Sequence, residues 1–154
     1  MKSVSGQLTC IMKDRLLIQL SMSSQTRSSQ TVTRTIESDF EPNLIYLKLT
    51  DVSLLPQWVP VFADRVEHAQ ETTFRVTKGS DTFDLELFAN ESTLTVDYLR
   101  KMAGGRRGGA YIRVMPRPLG GSVVAMTVPV GPNATSAQVA TVLEQELEAL
   151  VKLL

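Results

Sequence analysis

Residues 133–154 are NATSAQVATVLEQELEALVKLL, and the fold class turns on them. Thr135 and Gln138 stand three residues apart ahead of an apolar run, the spacing at which a hydroxyl and a side-chain amide cap the first backbone N–H groups of a helix. Val139, Leu143, Leu147, Leu150 and Leu154 then recur every three or four residues, along one helical face. Glu144, Glu146 and Glu148 are expected away from that stripe, on a solvated face. The chain therefore closes with one long amphipathic helix.

Upstream of the helix the period changes from that of a helix to that of strands. DRVEHAQ, TTFRVTKG, DTFDLELFAN, TLTVDYLRKM, GAYIRVMPRP and SVVAMTVPV, between residues 64 and 130, are six strand candidates separated by short turn-rich joints. Such joints suit antiparallel neighbours. MAGGRRGGAY, residues 102–111, lacks the Lys-Ser/Thr of a phosphate-binding loop and leads into no helix, so its glycines are read as a strand-to-strand reversal. Further back, QTVTRTIES sets Val32 and Ile36 at even spacing as a first strand. Between it and DRVEHAQ, Pro42 follows acidic residues as at a helix start, and Leu44, Ile45, Leu47 and Leu49 suit a helical face. Two short helices ending before Pro56 are expected. The class is α+β.

The chain has 154 residues, 43% of them hydrophobic, enough for one domain with a substantial core. Sixteen basic and sixteen acidic residues cancel, which argues against a dedicated nucleic-acid binder. The single cysteine, Cys10, forms no internal disulfide, in keeping with a reducing cytoplasm. At the N-terminus, Lys13, Asp14 and Arg15 interrupt the apolar run that an export signal needs, and no segment reaches the roughly 20 apolar residues of an integral membrane span. Residues 21–31, SMSSQTRSSQT, read as a polar linker, and Met22 is an alternative start. Residues 1–29 are accordingly expected to be an N-terminal extension and linker, dispensable for folding, and residues 30–154 the domain.

The order strand, two short helices, six strands, long helix, together with LTDVSLLPQWVPVFADRVE at residues 49–67, resembles the helix-grip (SRPBCC) superfamily of polyketide cyclases, START lipid-transfer domains and birch-pollen-allergen-like proteins. Leu49-Thr50-Asp51, Trp58 seven residues on, the DRVE stretch, and the later VDYLR and GGSVVAMTVP are similar to its polyketide cyclase/dehydrase branch. The resemblance implies a helix-grip fold: a curved seven-stranded antiparallel sheet wrapped on the long C-terminal helix, with a ligand pocket between them. It also implies that the glycine-arginine hairpin, carrying Arg106 and Arg107, lies at the pocket mouth.

Alternation along the strands groups Phe74 with Val76, Phe83 with Leu85 and Leu87, Val96 with Tyr98, and Tyr111 with Arg113 and Met115 as candidate pocket-lining sets. Trp58 and Phe62 are candidates to roof the cavity. Packing as plain core is the alternative for each apolar residue. Arg113 interrupts an apolar strand, so it pairs with Asp97 or Glu86 or turns outward to water; alternatively, Arg113 or Tyr111 orients an oxygen-bearing ligand. His68 is the only histidine and sits in a polar setting, so no histidine cluster can hold zinc; no metal and no cofactor are expected. No Gly-x-Ser-x-Gly elbow occurs, and Tyr98, Tyr111, Asp97 and Arg113 are the groups available for acid/base help. The leading expectation is a binder of a hydrophobic small molecule such as a lipid, isoprenoid or polyketide. The alternatives are a polyketide cyclase or dehydratase, with an acyl carrier protein as possible partner, and a protein-interaction module.

Overall fold

The computed structural model describes residues 30–154, so the expectations for residues 1–29 and for Met22 lie outside the described residues. Strand β1 (Thr31–Ser38) turns Val32 and Ile36 inward. Helix α1 (Pro42–Thr50) starts with Pro42 in its first turn, where a missing N–H costs nothing. Its buried face is Ile45, Tyr46 and Leu49, whereas Leu44 and Leu47, expected to share that face, are 50% and 59% exposed. Asp51 ends the helix and accepts from the Ser53 N–H, capping a 3-10 turn (Val52–Leu54). The LTD motif is thus a hinge between helices. Helix α2 (Leu55–Trp58) then runs through Pro56 rather than ending before it, because a proline in a first turn removes no intrahelical bond.

Six strands follow: β2 (Arg65–Gln70), β3 (Thr73–Lys78), β4 (Asp81–Asn90), β5 (Thr95–Lys101), β6 (Arg107–Pro116) and β7 (Ser122–Pro129). With β1 they form one seven-stranded antiparallel sheet in the order β1-β7-β6-β5-β4-β3-β2. Asp64, at the head of the DRVE stretch, accepts from Lys78 Nζ at 2.6 Å and from the Gly79 N–H at 2.8 Å, fastening the β3–β4 turn. The Lys78 hydrogen bond, then the Gly79 amide, hold its carboxyl below the usual carboxylate range. The glycine-rich stretch is the β5–β6 hairpin: Met102 N–H donates to Arg106 O at 2.7 Å, and Gly104 and Gly105 take the left-handed φ values of 77° and 76°. Helix α3 (Ser136–Lys152) carries the expected capping box, with Gln138 N–H donating to Thr135 Oγ1 and Thr135 N–H to Gln138 Oε1. It packs against β1 and α2 through Ala140, Leu143, Leu147 and Leu150.

On the inner face of the sheet, cross-strand register aligns Val76 with Phe83, Leu87 with Tyr98, Val96 with Ile112, and Ile112 with Met126. The β6 phase is therefore one residue off the expected one. Ile112 and Val114 are buried, while Tyr111, Arg113 and Met115 lie on the outer face. GAYIRVMP carries apolar side chains on both parities, and packing buries the parity without a charge. No helix among the described residues is long and apolar enough to cross a membrane.

Candidate functional site

A cavity of about 770 Å³ lies between the inner face of the sheet, α2 and α3. Leu55, Trp58, Val59 and Phe62 line it from α2 and the residues after it; Leu85, Tyr98, Ala110 and Met126 from the sheet; Val139, Val142 and Leu143 from α3. Met102, Arg106, Arg107 and Gly108 bring the hairpin to it. A hollow of about 300 Å³, lined by Phe40, Leu44, Leu47 and Leu154, lies elsewhere on the surface of α1.

Among the residues expected to line the pocket, Trp58, Phe62, Leu85 and Tyr98 line this cavity. Phe83 backs it instead, edge-on to Phe62 with ring centroids 5.0 Å apart, and Val96 is buried core. Phe74 packs against the core nearer the sheet edge, with its ring 5.2 Å from that of exposed His68. Tyr111, Arg113 and Met115 are turned to the other side of the sheet. Arg113 donates to Asp97 Oδ1 at 2.6 Å and is 44% exposed, which makes it half of an outer-face ion pair.

The polar groups in the cavity differ in how far they are already occupied. Gln138 is used by the helix cap. The Tyr98 hydroxyl donates to the Leu49 carbonyl, tethering β5 to the end of α1. Burial, and after it the nearby Asp51, pushes this phenol far above its ordinary value, so Tyr98 keeps its proton and is no base. The indole N–H of Trp58 is fully buried and has no hydrogen-bond partner among the described residues. Arg106 and Arg107 both reach the cavity rim, but the Arg107 guanidinium is drawn to Glu86, 3.3 Å away. Lys101 also approaches Glu86, at 3.7 Å, and Arg117 pairs with Glu37 and Asp39. Of the six basic side chains between positions 100 and 117, this leaves Arg100 and Arg106 without an acidic partner among the described residues. Arg100 lies over the Phe83 ring at 3.9 Å, a cation-π contact within the cavity wall.

Glu146 is the residue that overturns an expectation. It lines the cavity, and burial pushes its carboxyl from 4.5 up to about 7. Glu144, by contrast, is exposed and bonded to Arg34 Nε at 2.8 Å, and Glu148 is exposed. The spacing carried the signal: Glu146 is seven residues after Val139, three after Leu143 and four before Leu150, which puts it on the apolar stripe. Arg100 was legible in the same way, since it shares the parity of Val96 and Tyr98. Among the described residues no three His, Cys, Asp or Glu side chains come together as a metal site.

This is the helix-grip fold, an α+β sheet closed by a C-terminal helix over a cavity, and solved structures share it. The chain is similar to protein MLL2253 from Mesorhizobium loti, with 19% identity and a TM-score of 0.62 over 80% of this chain and 96% of that one. It is similar to a START superfamily protein from Mycobacterium smegmatis at 15% identity and a TM-score of 0.57, over 79% and 92% of the two chains. The Zhui aromatase/cyclase from Streptomyces sp. R1128 matches at 14% identity and a TM-score of 0.56, over 81% and 93%. No protein-family model and no curated protein matches the chain. The likeness is one of fold.

Proposed function

We propose that this protein binds a hydrophobic small molecule of the lipid, isoprenoid or polyketide class inside the cavity between the sheet and α3. The observation that carries this reading is the cavity itself, about 770 Å³ and walled mostly by Leu, Val, Met and aromatic side chains, with a few polar groups among them. That size and that composition are those of sites for small apolar ligands. Trp58 is the only tryptophan and lines the cavity, so its emission reports occupancy. Long-chain fatty acids added to the protein should change that emission saturably. Ala110→Leu, which fills the cavity from β6, should reduce the response at least about tenfold, as expected when a ligand's space is lost. A wild type with no response, and with no apolar molecule co-purifying in native mass spectrometry, would overturn the reading.

A second reading, a polyketide cyclase or dehydratase, is favoured by Glu146, whose carboxyl exchanges its proton near neutrality and so suits general acid/base work. An acyl carrier protein would then be the delivering partner. Incubation with a free or carrier-bound poly-β-ketone should yield a product that has lost water, and Glu146→Gln should abolish it. Unchanged substrate in both would leave the binding reading alone.

A further inference from the structure

The cavity has two poles of opposite chemistry. At the hairpin, Arg100 and Arg106 are cations without acidic partners, in a stretch whose other basic side chains are paired. On α3, Glu146 is a carboxyl without a hydrogen bond or ion pair among the described residues, flanked on its own face by Val139, Val142, Leu143 and Leu150. The elements packed on α3 bring it no cation: Arg34 of β1 is taken by Glu144, while α2 and β7 carry no charged residue. Glu146 is half-buried there; a polar group that loses part of its hydration without gaining a partner destabilises the fold, and a ligand that meets it lowers that cost.

We infer that the cavity selects an amphiphile with an anionic head and a hydroxyl on its apolar body, the head held by Arg100 and Arg106 and the hydroxyl by Glu146. The inference rests on the reading of the cavity as a site for an apolar molecule. A guanidinium is a strong partner for a carboxylate or phosphate head. The hydroxyl follows from the place of Glu146, a carboxyl in the cavity wall among apolar side chains with no partner among the described residues. Near neutrality the Glu146 carboxyl is present both protonated, as a donor, and ionised, as an acceptor. A hydroxyl partners the carboxyl in either form, donating to the carboxylate and accepting from the acid O–H, whereas a carbonyl can only accept.

The test compares stearic acid with a panel of its monohydroxylated isomers, and stearic acid with methyl stearate, read by Trp58 emission and by calorimetry. Wild type should bind at least one hydroxylated isomer about tenfold tighter than stearic acid, the factor expected of one hydrogen bond to a charged group. Glu146→Leu should erase that preference while binding stearic acid at least as well, and Glu146→Gln should retain part of it. Arg100→Gln with Arg106→Gln should erase the preference for stearic acid over its methyl ester. Circular dichroism of each variant reports folding. Equal binding of plain and hydroxylated chains by wild type, or a preference that survives Glu146→Leu, overturns the inference and leaves the cavity reading standing. Binding of no probe overturns both.

Discussion

The outer face of the sheet and the cavity on its inner side treat charge in opposite ways. On the outer face, Arg75 meets Asp84 at 3.2 Å, Arg107 meets Glu86 at 3.3 Å and Arg113 meets Asp97 at 2.6 Å, each pair joining neighbouring strands or the hairpin to one. In the cavity, Arg100 of β5, Glu146 of α3 and the Trp58 N–H of α2 have no such partners among the described residues. The same strands build both faces, so the difference is not one of local propensity. An exposed pair of this kind contributes little, whereas the cavity keeps a few polar groups without partners, as in a site that a ligand completes.

The largest test of this contrast is packing on the inner face. Leu147 is 1% exposed between α3 and the sheet, and Leu147→Ala should lower stability by about 2 to 5 kcal/mol through lost burial and a cavity, as read by chemical denaturation. An unchanged midpoint would mean that the helix contributes no core there.

Glu146 comes next. In the unfolded chain it ionises near its ordinary value of 4.5, but in the fold it holds its proton to about pH 7. Below both values the group is protonated in either state and makes no difference. As pH rises between them the unfolded chain loses the proton first, so stability falls, and it levels off above the folded value. The full effect is on the order of 3 kcal/mol. Glu146→Gln should match wild type near the acid end and exceed it at pH 8, with a flatter profile of melting temperature against pH. Parallel profiles would place the carboxyl in water.

The outer face should respond weakly. A double-mutant cycle on Arg113 and Asp97 is expected to give a coupling of about 1 kcal/mol or less, shrinking as salt rises. A larger, salt-insensitive coupling would make the outer pair a buried one and dissolve the contrast. Smallest of all is Arg106→Ala, which should leave stability within about 0.5 kcal/mol, since it is a surface change. Binding of a fatty acid should nevertheless weaken, most at low salt. Equal binding at low salt would reduce Arg106 to part of a turn.

Much of the fold was legible because local chemistry specifies it. The Thr135–Gln138 box marks the start of α3, the glycines at 104 and 105 supply the φ values of the hairpin, and alternation marks all seven strands. Of the residues that line the cavity, Leu85 and Tyr98 were proposed from the apolar parity of their strands, and Trp58 and Phe62 from their place between the second helix and β2. Tyr111, Arg113 and Met115 were assigned inward because β6 is apolar on both parities, and alternation has no sign of its own. Glu146 was read as solvated from its charge, although its spacing along the helix put it on the stripe.

The order and type of the elements, and the closing helix, follow from local chemistry along the chain, since caps, turns and periodicity act over a few residues. Which parity of β6 faces the helix, that Arg107 turns out to Glu86 while Arg100 turns in over Phe83, and that a lone carboxyl sits in an apolar cavity were decided only by the tertiary structure. Those are outcomes of competition for burial among segments far apart in the chain. The free energy of a charge depends on the neighbours and the dielectric that surround it after packing, which no stretch of a few residues contains.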